Sequence, residues 1–161
     1  MLRRQTPLNL TELNNKVIKI LVELCRFGLA ALFLFAVAAK LYYINDPTNS
    51  FLINMPALVG ASLAKPVAFG VIIAESITAI ALLIPRAVKI GACMAGALLI
   101  LFAVYALYYR YGLGNIEGLE CGCFGGIIAS QLGVSTALRN LILLIPALVV
   151  FFGYKRNPTL S

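Results

Sequence analysis

The chain has 161 residues, enough for one domain; 61% are hydrophobic and 12% charged, against about 25% charged in soluble domains, so most of its apolar surface is predicted to face lipid. The net charge of +7 does not indicate nucleic acid, because the basic residues sit at the ends of apolar runs instead of on one face with interleaved aromatics. The chain has no His, which excludes Ser-His triads and imidazole ligation of metal or haem and leaves thiols, carboxylates, Lys, Arg or a bound cofactor to carry any chemistry.

Residues 1–19 read as a polar, basic leader with Arg3, Arg4, Lys16 and Lys19. Asn9 or Thr11 is expected to cap a short amphipathic helix there, lying on the membrane surface. The apolar run that follows is too long for a signal-peptide core, so the first helix is expected to be retained. That first span covers about 20–43 and ends in Tyr42 and Tyr43, which suit an interfacial belt. A loop with Asp46, Pro47 and Asn49 follows, and the moderately apolar stretch 51–65 is expected to fold back at the interface.

The second span is predicted over about 66–84, with Pro66 in its first turn. Pro85-Arg86 makes a tight connection to the third span, about 87–109, which again ends in aromatics (Tyr105, Tyr108, Tyr109). Residues 110–135 form a long polar loop. Ser135 or Thr136 caps the fourth span, about 137–154, and Lys155-Arg156 open a basic tail, 155–161. Each span has roughly the 17–25 residues that a bilayer requires. The fold class is therefore all-α, an antiparallel four-helix transmembrane bundle over residues 20–154, with no internal repeat. Lys and Arg concentrate in the leader, the 85–89 turn (Arg86, Lys89) and the tail. The positive-inside rule then places both termini and that turn in the cytoplasm, with the loops at 44–65 and 110–136 facing outward.

The strongest local signal is Glu120-Cys121-Gly122-Cys123-Phe124-Gly125-Gly126. It puts two thiols in a loop expected on the side where disulfides persist. A disulfide across one residue needs a bend, which Gly122 supplies, while Phe124, Gly125 and Gly126 carry the loop back. So short a ring stabilises little by chain entropy and is easily reduced, which suits exchange more than stapling. A thiolate metal site and a structural or inert pair remain open as alternatives. Cys25 and Cys93 are expected to be ordinary buried small residues.

Charges inside the spans are costly and usually face a partner or a cavity. Lys40 lies near the outer end of the first span, and Glu75 lies about 13 Å below the outer end of the second at 1.5 Å per residue. Side chains lean toward their helix N-terminus, so in antiparallel helices these two approach and an ion pair is expected. The alternative is a snorkelling Lys40 and a protonated Glu75. Arg139, in the first turn of the fourth span, opposes the helix dipole. It is explained if it faces an anion, either a lipid phosphate or a loop thiolate; beside a thiol it would favour the thiolate, and Glu120 would act the other way. Glu23 and Arg26 read as a simple helix pair.

Arg26, Ala39-Lys40-Leu41, Glu75, the Cys121-Gly-Cys-Phe-Gly125 string and Arg139-Asn140 together resemble the methylamine-utilisation MauE branch of the DoxX-like membrane proteins, over roughly residues 20–154. The resemblance implies a bacterial cytoplasmic-membrane protein tied to disulfide metabolism outside the cytoplasm. It implies Cys121 and Cys123 as the exchanging pair, with Lys40, Glu75 and Arg139 as supporting polar residues. It also implies a thioredoxin-like partner or a substrate disulfide, and a quinone as a possible cofactor near the outer ends of the first two spans. The competing expectations are a non-catalytic subunit or assembly factor of a larger membrane complex and a thiolate metal carrier. Gly91, Ala92, Ala95 and Gly96 would suit packing against a neighbour in the former.

Overall fold

The computed structural model describes residues 10–42, 56, 59–112 and 134–154. Its four helices are α1 (Leu10–Tyr42), α2 (Ala61–Leu83), α3 (Val88–Tyr111) and α4 (Val134–Gly153). All four are long and apolar enough to cross a membrane. Each packs on its neighbours in chain order, and α4 closes the ring against α1, while α1 and α3 scarcely touch across the diagonal. The result is an antiparallel four-helix bundle. One end holds the short turn between α2 and α3 and is called here the hairpin end. At the other, the loop end, the chain leaves α1 and α3 and enters α2 and α4.

Burial follows helical periodicity. On α1 the inward positions are Val22, Arg26, Leu29, Phe33, Ala36 and Lys40, and on α2 they are Ala64, Ala68, Ile72, Glu75, Ala79 and Leu82. Steps of three and four residues keep one stripe facing the partners. The interior is rich in alanine, whereas large side chains such as Leu24, Ile73, Ile90, Leu101 and Phe152 point outward. Small residues inside and bulky apolar residues outside are what lipid as solvent allows, since no gain comes from hiding Leu or Ile from hydrocarbon.

Close backbone approach is concentrated at the hairpin end. A Cβ on Gly91 of α3 would sit 2.7 Å from the Leu82 nitrogen and 2.9 Å from the Ala81 carbonyl carbon. One on Gly153 of α4 would sit 2.6 Å from Val22 Cγ2. Gly91, Ala92 and Ala95 are buried within the bundle and Gly96 is half-buried beside Leu144 of α4, so these small residues serve the bundle's own packing.

Three helix starts differ from the sequence-based expectation. The structure has one continuous helix from Leu10, with no break between a surface helix and the first span. Leu10, Leu13, Val17 and Ile18 recur at helical spacing through the end of the leader, with Glu12, Lys16 and Lys19 as good helix formers among them, and carry the pattern across the polar residues into the first span. Helix α2 begins at Ala61, so Pro66 lies inside the helix and not in its first turn. Gly60 adopts φ 83°, a conformation open to glycine, and its carbonyl accepts from Leu63 and Ala64 at 3.3 and 3.1 Å. Ser135 and Thr136 are already helical in α4, and Thr136 is buried instead of standing outside as a cap. The expectation of an interfacial fold-back over 51–65 falls largely outside the described residues.

Candidate functional site

Three of the helices bring a buried polar residue to one region of the bundle, and the other supplies an aromatic ring. Lys40 Nζ on α1 donates to Glu75 Oε1 on α2 at 2.6 Å, and both side chains are only 1% exposed. Because α2 starts at Ala61, Glu75 lies about 21 Å from its loop end and about 12 Å from its hairpin end. The expected depth of about 13 Å below the outer end is thereby corrected. Glu75 thus sits well inside a helix of membrane-spanning length, where an unpartnered charge is expensive, and Lys40 reaches it from the last turn of α1. From α3, the ring of Phe102 faces the ammonium, with Nζ 5.7 Å from its centroid, a cation–π contact that offsets part of the lost hydration.

Helix α4 supplies Asn140, which is 4% exposed. Glu75 and Asn140 line a common small cavity walled by Phe33, Leu99, Phe102 and Leu143. Among the described residues, Glu75 Oε2 and Asn140 Nδ2 have no hydrogen-bond partner. Both are therefore buried polar atoms beside open space, an arrangement that native interiors rarely leave unanswered. Thr78, one turn along α2, is satisfied by its own helix, donating to the Ala74 carbonyl at 2.7 Å. Near the loop end of α3, Tyr105 and Tyr109 pack with ring centroids 6.0 Å apart.

The cavity leaves about 20 Å³ for the centre of a water-sized sphere, and one water takes roughly 10–15 Å³ by that measure. A quinone ring does not fit beside Glu75. The loop connecting α1 to α2, on the side where a quinone was expected, lies mostly outside the described residues.

Arg139 is half-buried on α4 and has interactions of its own. Glu120, Cys121, Gly122, Cys123, Phe124 and Gly125 all lie outside the described residues, as does any contact between them and Arg139. Among the described residues no three Cys, Asp or Glu side chains converge as a metal-ligand group. Cys25 is partly buried against the core, but Cys93 is exposed on the outer face of α3 and not buried as expected.

Arg26 does far more than pair with Glu23. Its Nε donates to the Leu82 carbonyl at 2.6 Å, Nη2 to the Leu83 carbonyl at 2.7 Å and Nη1 to Glu23 at 2.9 Å. Leu82 and Leu83 end α2, where carbonyls lack helical partners. Arg26 thus caps a neighbouring helix at its negative pole, and its guanidinium also lies 5.4 Å from the ring of Tyr154. No sequence pattern points at a backbone acceptor 56 residues away, although an arginine inside an apolar run opposite a tight turn is a hint. Asn140 was legible as part of the Arg139-Asn140 match to the family, but nothing in the sequence placed it beside Glu75.

Neither a curated protein nor a solved structure matches the chain. Residues 18–153 match the family model described as Methylamine utilisation protein MauE, which spans all four helices except the first turns of α1. The chain is a multi-pass membrane protein that belongs to the MauE family.

Proposed function

We propose that this protein is a membrane thiol–disulfide electron-transfer protein working through Cys121 and Cys123. The observation that carries the reading is the Cys121-Gly122-Cys123 pair between α3 and α4, in a family whose context is redox or cofactor maturation at the membrane. The connection between α3 and α4 that carries the cysteines faces outward from the cytoplasmic membrane, with both termini inside. The partner is an extracytoplasmic thioredoxin-like protein or a substrate disulfide.

In the exchange, one cysteine thiolate attacks a partner sulfur and expels the other as a thiolate, giving a mixed disulfide. The second cysteine then attacks the first, closes the Cys121–Cys123 disulfide and releases the partner as a dithiol. Two electrons and two protons pass to the partner, and the reverse sequence returns them. Arg139 favours the thiolate form if the loop folds over the start of α4, and Glu120 restrains it. Lys40 and Glu75 hold the bundle that presents the loop.

Equilibration of the purified protein with defined thiol–disulfide buffers, in a Cys25→Ser/Cys93→Ser background, tests the reading. The expected result is a reversible two-electron transition between about −120 and −270 mV, where exchange catalysts operate. Thiols that never form an internal disulfide at any poise would overturn it. The second reading, a non-catalytic subunit or assembly factor, would then stand.

A further inference from the structure

The cavity between α2 and α4 is the one place among the described residues where two side chains at least nine-tenths buried each leave a polar atom unpartnered beside shared space. Glu75 Oε1 is taken by Lys40, but Oε2 is not. A carboxylate oxygen buried with no donor is far more costly than a neutral group in the same position. The remaining wall is apolar: Leu32, Phe33, Ala36, Leu99, Phe102 and Leu143. Whatever occupies the space meets one acceptor and one amide, and nothing else polar.

We propose that the cavity is an internal water site, in which one water donates to Glu75 Oε2 and accepts from Asn140 Nδ2. Size, charge and ligand number converge on water. The room is about 20 Å³, enough for one water at roughly 10–15 Å³ and for little more. The Lys40–Glu75 pair is neutral as a unit, so no net charge calls for an ion. A metal cation would require several oxygen ligands, and the wall offers two polar side chains. Either orientation of the Asn140 amide bonds a water, whereas a cation would accept only the carbonyl. The water completes a polar chain from Lys40 through Glu75 to Asn140, tying α1, α2 and α4 together in the membrane interior. It also leaves the Glu75 carboxylate with a partner that can exchange its protons. The site does not depend on the cysteines, and its failure would leave the exchange reading untouched.

Infrared spectroscopy of the full-length protein in lipid, comparing H₂¹⁶O with H₂¹⁸O, tests this. An isolated internal water gives a sharp O–H stretch that moves on isotope substitution. The expected result is such a band in the wild type and in Cys121→Ser/Cys123→Ser, lost in Asn140→Leu, which keeps the volume and removes the donor. Ala36→Val fills the cavity from its apolar wall and should also abolish the band, and it decides the matter if Asn140→Leu does not fold. No isotope-sensitive band in the wild type, or a band unchanged in the variant that folds, would overturn the proposal. So would a sodium-dependent rise in thermal stability that Glu75→Gln abolishes, since that would assign the cavity to a cation.

Discussion

Helix α1 carries two buried cations, Arg26 toward the hairpin end and Lys40 close to the loop end, and the bundle treats them differently. Around Arg26, each of the three guanidinium nitrogens has a hydrogen-bond partner, two of them carbonyls that end α2. Packing is so close nearby that a methyl group on Gly91 would strike the α2 backbone and one on Gly153 the Val22 side chain. Around Lys40, the carboxylate that answers the charge keeps one oxygen without a donor, an amide keeps one nitrogen without an acceptor, and a cavity lies between them. The first region has its polar groups satisfied and its space filled, and reads as a device for holding helices together. The second has hydrogen-bonding capacity left over at membrane depth, which is where intramembrane function is ordinarily found.

Mutation of each region should break the comparison in a characteristic way. The largest effect is expected at the deep pair. Lys40→Met or Glu75→Leu alone should lower stability by about 3–5 kcal/mol, because a charge is left buried without its partner, while the double variant should recover most of the loss. Reversible unfolding in mixed micelles measures this; single variants no worse than the double one would show that the pair carries no such coupling. At the clamp, Arg26→Met strips two helix-end carbonyls of their donor and should cost about 2–3 kcal/mol. Arg26→Lys should rescue only part, since an ammonium cannot reproduce the planar fork that reaches two carbonyls and Glu23.

Packing comes next. Gly91→Ala forces a methyl group against the α2 backbone and should cost about 1–3 kcal/mol. Gly28→Ala, where a Cβ meets nothing within 4 Å, should be neutral or stabilising by about 0.5–1 kcal/mol. Equal thermal shifts for the two glycines would deny the tight approach at the hairpin end. The smallest effect is expected for Glu23→Gln. That carboxylate is 43% exposed in an i,i+3 pair, and its loss should change stability by about 0.5 kcal/mol or less. A large loss there would mean that Glu23 orients Arg26 for its carbonyls.

The helices were legible because four apolar runs of bilayer length leave few other folds available. Their starts were less so. Pro66 has the residue type of a first turn, yet Ala61, Ser62 and Leu63 before it are good enough helix formers, and Gly60 opens the helix ahead of it. Lys40 and Glu75 announced themselves as charges in apolar runs, and antiparallel geometry was enough to pair them. Asn140 and Phe102 did not, because an uncharged amide and a phenyl ring look the same in sequence whether they face lipid or a cavity. For Arg26 the pairing with Glu23 was legible and is present, but its other two acceptors are backbone carbonyls, which every residue possesses and no sequence can mark.

Synthesis gives the deep pair a further meaning. The first helix leaves the ribosome with Lys40 already in place, while its counter-charge is encoded 35 residues later. A lone lysine at the centre of a helix in hydrocarbon costs about 2.5–3.5 kcal/mol on translocon-derived scales; Lys40, in the last turn of α1, incurs less than that and can snorkel outward until its neighbour arrives. The second helix enters carrying the opposite debt. Each segment inserts better beside the other than alone, so the pair makes partition into the bilayer and recognition between the first two helices a single cooperative event.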